Sequence, residues 1–253
     1  MNNPTVILSQ RFSTDSQTIW STAIRKGWDV HRAIRFQVPD PLPERRFCYG
    51  EVSFCDIMAD RAKLGLLDPP DDWLAMLPPN LLGRRVHFYT AENIPRITRR
   101  AFFKPANDKV FEKGVYESGR DVPLKYVDPE CPCYVSDVVA FEVEFRFWFL
   151  DGVQRGGDYY RMIGDRNEVE MLEQASDFAH TVMQAHGHEL PSAIVLDVGL
   201  IEGSGWAVVE VNQCHASGIY GDTSVDGVLA CCERSAGPIE AIRDRDKPFL
   251  RKL

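Results

Sequence analysis

The sequence predicts a mixed α/β (α+β) protein with a parallel α/β layer at its front and a strand-rich remainder. Three observations lead there. "TVILSQRF", "STDSQTIWSTAIRKG" and "WDVHRAIRF" read as strand, helix, strand. "YVSDVVAFEVEFRFWFLDG" is a long apolar-rich run that fits two strands joined at a bend. "SAIVLDVGLIEGSGWAVVEVNQ" gives two more strands around the turn "EGSG".

In order, "TVILSQRF" is a buried strand, and the helix after it opens on Ser/Thr/Asp capping residues. It carries apolar Ile19, Ala23 and Ile24 and stops at Gly27. "GEVSFCDIMADRAKLGL" is a second helix, and two Pro-Pro pairs break "DPPDDWLAMLPPNLLG" into short pieces. From "RRVHFYT" the chain turns strand-like, through "AFFKPAN" to the hairpin signal Asp151-Gly152. "NEVEMLEQASDFAHTVMQAHG" has helical periodicity ending at Gly187. The change of character near residues 85 to 100 predicts two domains, 1–95 and 96–253.

With 253 residues and 44% apolar content the chain can build its own core, and a net charge of −8 argues against holding nucleic acid by bulk electrostatics. Small ligands are the expected partners. Seven cysteines in no paired spacing read as reduced thiols. No leader pattern and no long apolar run appears, so a cytoplasmic, membrane-free protein is expected.

Glu210 and Asn212 are two apart on one strand and share a face, and pairing across "EGSG" brings Asp197 beside them. Buried carboxylates are costly unless compensated. Either a hard cation such as Mg²⁺ sits among the three oxygen-bearing groups, or they cap backbone and pair with basic residues. Lys104 and Lys109 flank the "PAND" turn and could neutralise a polyphosphate. In "FEVEFRFWFL" Glu142, Glu144 and Arg146 alternate with apolar residues, which leaves Arg146 as a cross-strand ion pair or as a clamp on a transferring phosphoryl group. His215 and Ser217 follow "EVN" as ligand contacts or as surface hydrogen-bonding groups. Tyr159, Tyr160 and Arg161 in "GGDYYRMIG" read as a flexible lid or as a loop packing its own aromatics, and Cys131-Pro132-Cys133 as a stiff loop.

Taken together, Lys104, Lys109, "YVSDVVAFEVEFRFWFLDG", Asp197 in "VLDVG" and the "VVEVN" pair resemble an ATP-grasp domain, in the clade named for an arginine and two lysines. "ILSQRFSTDSQTIWSTAIRKGW" and "YGEVSFCDIMADRAKLGLLDPPDDWLAMLP" are similar to bacterial and phage members of that clade, so the likeness spans most of the chain. It implies an ATP-grasp fold with a pre-ATP-grasp α/β domain before it and a hinge near residues 136–140. It implies that Ser136, Asp137, Val138 and Val139 meet adenine, that Glu144 meets ribose, and that Lys104 and Lys109 meet phosphates. Arg146 would face the γ-phosphate or acyl-phosphate, with Arg146 and Lys109 the catalytic pair, and Asp197, Glu210 and Asn212 would hold Mg²⁺. The implied activity is ATP-dependent joining of a small-molecule or peptide carboxylate to an amine through an acyl-phosphate. A nucleotide-binding sensor or scaffold, and phosphoryl transfer without ligation, fit the same residues. Acceptor and oligomeric state are not named by any motif.

Overall fold

The computed structural model describes residues 3–106, 109–164 and 166–252. At the front, β1 (Thr5–Ser9) is buried throughout, and α1 (Thr14–Arg25) starts at Ser13. The Ser13 side chain accepts from the Ser16 N–H, and Ser16 Oγ accepts from the Ser13 N–H, so two helix-end donors are satisfied reciprocally. Strands β2 (Asp29–Ala33) and β3 (Arg46–Tyr49) lie either side of β1, both parallel to it. This is the expected parallel layer, with β3 added. Short "RFCY" follows a proline-rich stretch and has no alternation of its own, so only pairing with β1 makes it a strand.

Helix α2 (Val52–Arg61) packs Cys55, Met58 and Ala59 against Ile7 and Cys48. The proline pairs leave α3 (Trp73–Met76) and α4 (Pro79–Leu82) one turn each. Pro79 opens α4, and Gly83 closes it in the left-handed region at φ +58°.

Next come β4 (Val86–Thr90), β5 (Ala101–Pro105), β6 (Gly114–Tyr116) and β7 (Pro132–Ser136), an antiparallel sheet in the order β4-β7-β5-β6. The division expected at 95/96 therefore passes between β4 and β5, two members of one sheet. Cys133 is a β7 residue rather than part of a loop. The Asn107-Asp108 half of "PAND" lies outside the described residues.

Residues 137–140 lead from β7 into a third sheet, where β8 (Phe141–Leu150), β9 (Val153–Met162), β10 (Ala193–Ile201) and β11 (Gly205–Asn212) pair antiparallel in the order β11-β10-β8-β9. The β8–β9 turn puts Asp151 and Gly152 at φ +54° and +76°, as a two-residue hairpin requires. Strand β9 contains "GGDYYRM", so Tyr159, Tyr160 and Arg161 stand on a paired strand and not on a lid. Its glycines, which suggest a loop in sequence, serve close packing. A Cβ on Gly157 would lie 2.2 Å from Phe147 Cδ1.

Helix α5 (Glu168–His186), capped by Asn167, covers one face of this sheet with Ala175, Ala179 and Val182 on Phe145, Phe147 and Phe149. Helix α6 (Val225–Ser235) covers the other face. Its Val228, Leu229, Cys231 and Cys232 share a core with Val6, Leu8 and Phe47 of the front layer and with Trp148 and Val195 of the third sheet. Among the described residues no helix is long and apolar enough to cross a membrane.

Trp148 is fully buried at that junction. Trp148→Ala is expected to lower stability by about 3–5 kcal/mol, with front layer and third sheet unfolding in a single transition in urea.

Candidate functional site

Strand register builds the site. Arg146 on β8 stands opposite Asp197 on β10, and Asp197 stands opposite Glu210 on β11, so three charged side chains form a row across adjacent strands. Glu144 and Asn212, two residues along their strands, share that face. The reverse face carries Phe145, Phe147, Leu196 and Val208 into the core under α5. Polar residues inside an apolar run thus line the open end of the sheet face whose other end is sealed by α6.

The row is internally matched. Asp197 is fully buried, and its two oxygens accept from Arg146 Nε at 2.8 Å and Nη2 at 2.7 Å. Arg146 Nη1 donates to the Gly218 carbonyl at 3.3 Å, and the guanidinium lies 5.7 and 5.2 Å from the Tyr160 and Tyr220 ring centroids. Burial alone would lower the Arg146 pKa, but the Asp197 charge and its hydrogen bonds outweigh burial and raise it. Glu210 is bonded by Lys104, and Asn212 Nδ2 donates to both Asp197 and Glu210 at 3.3 Å. Burial works to raise the Glu210 pKa, yet the charges of Lys104 and Lys113, the Lys104 hydrogen bond and Arg146 together pull it down to about 2.

Two adjoining cavities open on this row. A larger cleft of about 1140 Å³ is lined by Lys109, Lys113, Glu144, Arg146, Glu210 and Asn212, together with residues of the front layer. A smaller cavity of about 390 Å³ is lined by Lys104, Tyr134, the stretch Ser136–Phe141, Glu144 and Glu210. That volume falls in the range of small-molecule sites. The structure therefore brings Lys104, Lys109, Ser136, Asp137, Val138, Val139, Glu144, Arg146, Glu210 and Asn212 to one connected space. Asp197, expected among the metal ligands, lines neither cavity and has both oxygens on Arg146. Of the two readings of Arg146, the cross-strand ion pair is formed, and it is buried.

The donors fit a hard cation in kind, being carboxylate and amide oxygens. Only Glu210 and Asn212 present theirs to the cleft, and Glu210 is already neutralised by Lys104. Among the described residues no three His, Cys, Asp or Glu side chains form a metal site unaided. Of Asp197, Glu210 and Asn212, the last two are thus the groups of the right kind for a divalent ion that reach the cleft.

Neighbouring groups fix this wall. Glu144 accepts from the Tyr160 hydroxyl at 2.8 Å and from Arg161 at 3.0 Å. Asp137 is held by Arg85 and Arg99, and the Arg85 hydrogen bond first of all lowers its pKa. Arg84 donates to the Val208 and Val209 carbonyls beside Glu210, and burial lowers its pKa to about 10. Lys113, Arg84, Tyr220 and Gly218 escape a reading by motif because isolated residues on separate segments carry no local pattern. His215 is a buried core residue rather than a surface or cleft group. Its Nδ1 lies 2.9 Å from Ser235 Oγ, and burial, then Arg251, lowers its pKa to about 3. Ser217 lines the cleft but donates to the Gln213 carbonyl. No disulfide is formed among the described residues, and burial pushes the Cys133 thiol up to about 12.

The same architecture recurs in solved structures. D-cycloserine synthetase superposes with a TM-score of 0.60 at 13% identity, over 90% of this chain and 97% of that one. D-alanine–D-alanine ligase from Bacillus anthracis gives 0.52 at 10% identity, over 93% and 97%. Carboxyaminoimidazole ribonucleotide synthase from Aspergillus clavatus, complexed with ATP, gives 0.53 at 11% identity, over 87% and 72%. No curated protein matches the sequence. The fold is the ATP-grasp fold. Residues 81–228 match the model of an ATP-grasp domain, the second family of its clade, and the chain belongs to that ATP-grasp family.

Because Asp197 is buried under a guanidinium, Asp197→Asn leaves a charge unpaired and is expected to cost about 3–5 kcal/mol in urea denaturation. A depressed carboxyl pKa favours the fold above the unfolded value, and that contribution fades as pH falls from the ordinary 4.5 toward about 2. In Lys104→Met burial meets less opposition, so the Glu210 pKa is expected to rise in carboxyl NMR titration, and the acid-side loss of stability across that window shrinks.

Proposed function

We propose that the chain is a Mg²⁺-ATP-dependent ligase that activates a carboxylate as an acyl-phosphate and joins it to an amine. The single observation that carries this reading is the charge-matched row Arg146–Asp197 and Lys104–Glu210 at the junction of the two cavities. Membership of the ATP-grasp family supports it.

In this reading the front layer precedes an ATP-grasp portion that takes in residues 81–228, with the hinge at 136–140. The smaller cavity takes the base against the backbone of Ser136, Asp137, Val138 and Val139, and Glu144 takes the ribose. Lys104 and Lys109 take the phosphates, and with Arg146 they are the arginine and two lysines of the clade. A triphosphate competes with Glu210 for Lys104. Released, Glu210 and Asn212 would hold Mg²⁺, whose chemistry is neutralisation of phosphate charge. Asp197 keeps Arg146 fixed.

Arg146 and Lys109 then act by position and charge rather than by covalent bonding. A carboxylate oxygen attacks the γ-phosphorus as its bond to the bridging oxygen breaks and ADP departs. An amine lone pair attacks the acyl carbon, the carbon–oxygen bond breaks, phosphate leaves and the amine sheds a proton. Arg146 is placed to receive charge that gathers on the transferring group.

Calorimetry of ATP with and without magnesium tests the site. Wild type is expected to bind more tightly with magnesium, and Glu210→Gln to lose at least about tenfold of that increment. Equal affinities in both proteins under both conditions sink the proposal. Supplied with a panel of carboxylates and amines, a ligase releases phosphate and forms an amide visible by mass spectrometry. A phosphotransferase leaves a phosphorylated product, and a sensor releases nothing.

A further inference from the structure

Beyond Arg146 the larger cleft continues to the carboxyl ends of the parallel strands β1 and β3, where Ser9, Ser13, Asp15, Tyr49 and Glu51 line it. Crevices outside the carboxyl ends of parallel strands are where α/β layers bind ligands. The charges here are unevenly matched. Among the described residues that line this cleft, Glu51 pairs with Arg11 at 3.4 Å, Asp56 with Arg251 at 2.8 Å, Glu144 with Arg161 at 3.0 Å and Glu210 with Lys104. Asp15 is the remaining carboxylate, and no ion pair to it is found among the described residues.

An acidic residue in the first turn of a helix is ordinarily explained by the helix dipole. Asp15 differs from a solvated first-turn carboxylate in its surroundings. It is half-buried in the cleft wall, and burial raises its pKa against the opposing Ile219 N–H, the Arg146 charge and the Tyr49 hydroxyl. Gly218 ties it to the row of the site. The Gly218 carbonyl accepts from Arg146 Nη1, and a Cβ on Gly218 would lie 3.5 Å from Asp15 Oδ2. An anion with no ion pair among the described residues and a firmly held cation thus both adjoin Gly218 on one cleft wall.

That arrangement is complementary to a small zwitterion. We infer that Asp15 receives the ammonium group of a free amino acid whose carboxylate is directed toward Arg146, making Asp15 a specificity determinant for the substrate that is activated. The inference rests on the ligase reading of the cleft and names the substrate class for it. An ammonium supplies the counter-charge that Asp15 lacks, and a neutral or N-blocked acid leaves the carboxylate desolvated without a partner.

The full chain, held with saturating non-hydrolysable ATP analogue AMP-PNP and magnesium, is titrated calorimetrically with the common amino acids of both hands and with their N-acetyl forms. At least one free amino acid is expected to bind about tenfold or more tightly than its N-acetyl form. Asp15→Asn is expected to abolish that preference and Asp15→Glu to retain part of it, with AMP-PNP affinity reporting that each variant is folded. The comparison of free and blocked acids on wild type needs no variant. Equal binding of free and N-acetyl forms, binding of no amino acid by a chain that binds AMP-PNP, or a full preference in Asp15→Asn overturns the inference and leaves the nucleotide reading standing. Failure to bind AMP-PNP overturns both.

Discussion

The ion pair between Arg146 and Asp197 is the constraint around which this molecule is organised. A fully buried carboxylate is tolerated only because two guanidinium donors meet it in a bidentate geometry, and adjacent strands at matched register are what bring them together. Once that pair is formed, Glu210 and Asn212 on the next strand inherit their positions, and Lys104 must cross from the neighbouring sheet to balance Glu210. The two sheets are thereby joined by a salt bridge at the mouth of two cavities.

Rigidity behind the row comes from α6. It fills the space between the front layer and the third sheet, and its Val228, Leu229, Cys231 and Cys232 make a single core with residues from both. The loop ahead of α6 is therefore held against the front layer. Gly218 and Tyr220 on that loop reach Arg146, and Gly218 also meets Asp15. The front unit is consequently part of the wall of the cleft, so Asp15 lies far from Arg146 in sequence and on the same wall in space.

The architectural parallels share about a tenth of their residues with this chain, so what they transmit is the arrangement of two lobes around a cleft. The far end of the space is bordered by Asp15, Arg11 and Glu51 from the front of the chain, and fold likeness carries no choice of substrate.

Much of the framework was readable in the chain because its signals are local. Capping at Ser13, the Asp151-Gly152 hairpin and the "EGSG" turn depend on near neighbours, and alternation along one strand puts Glu210 and Asn212 on a common face. Strand β3 lacks such signals and forms because it pairs with the distant β1. Glycines that suggest a loop in "GGDYYRM" are needed where β9 passes over Phe147, a contact with no trace in local sequence. Sequence by itself determined which residue types are available and which of them share a strand face, since covalent spacing and the two-residue period dictate that. Only the tertiary structure decided that Asp197 faces Arg146 instead of the cleft, that His215 is sealed in the core, and that no ion pair to Asp15 forms among the described residues, because each depends on burial and on charges brought from far along the chain.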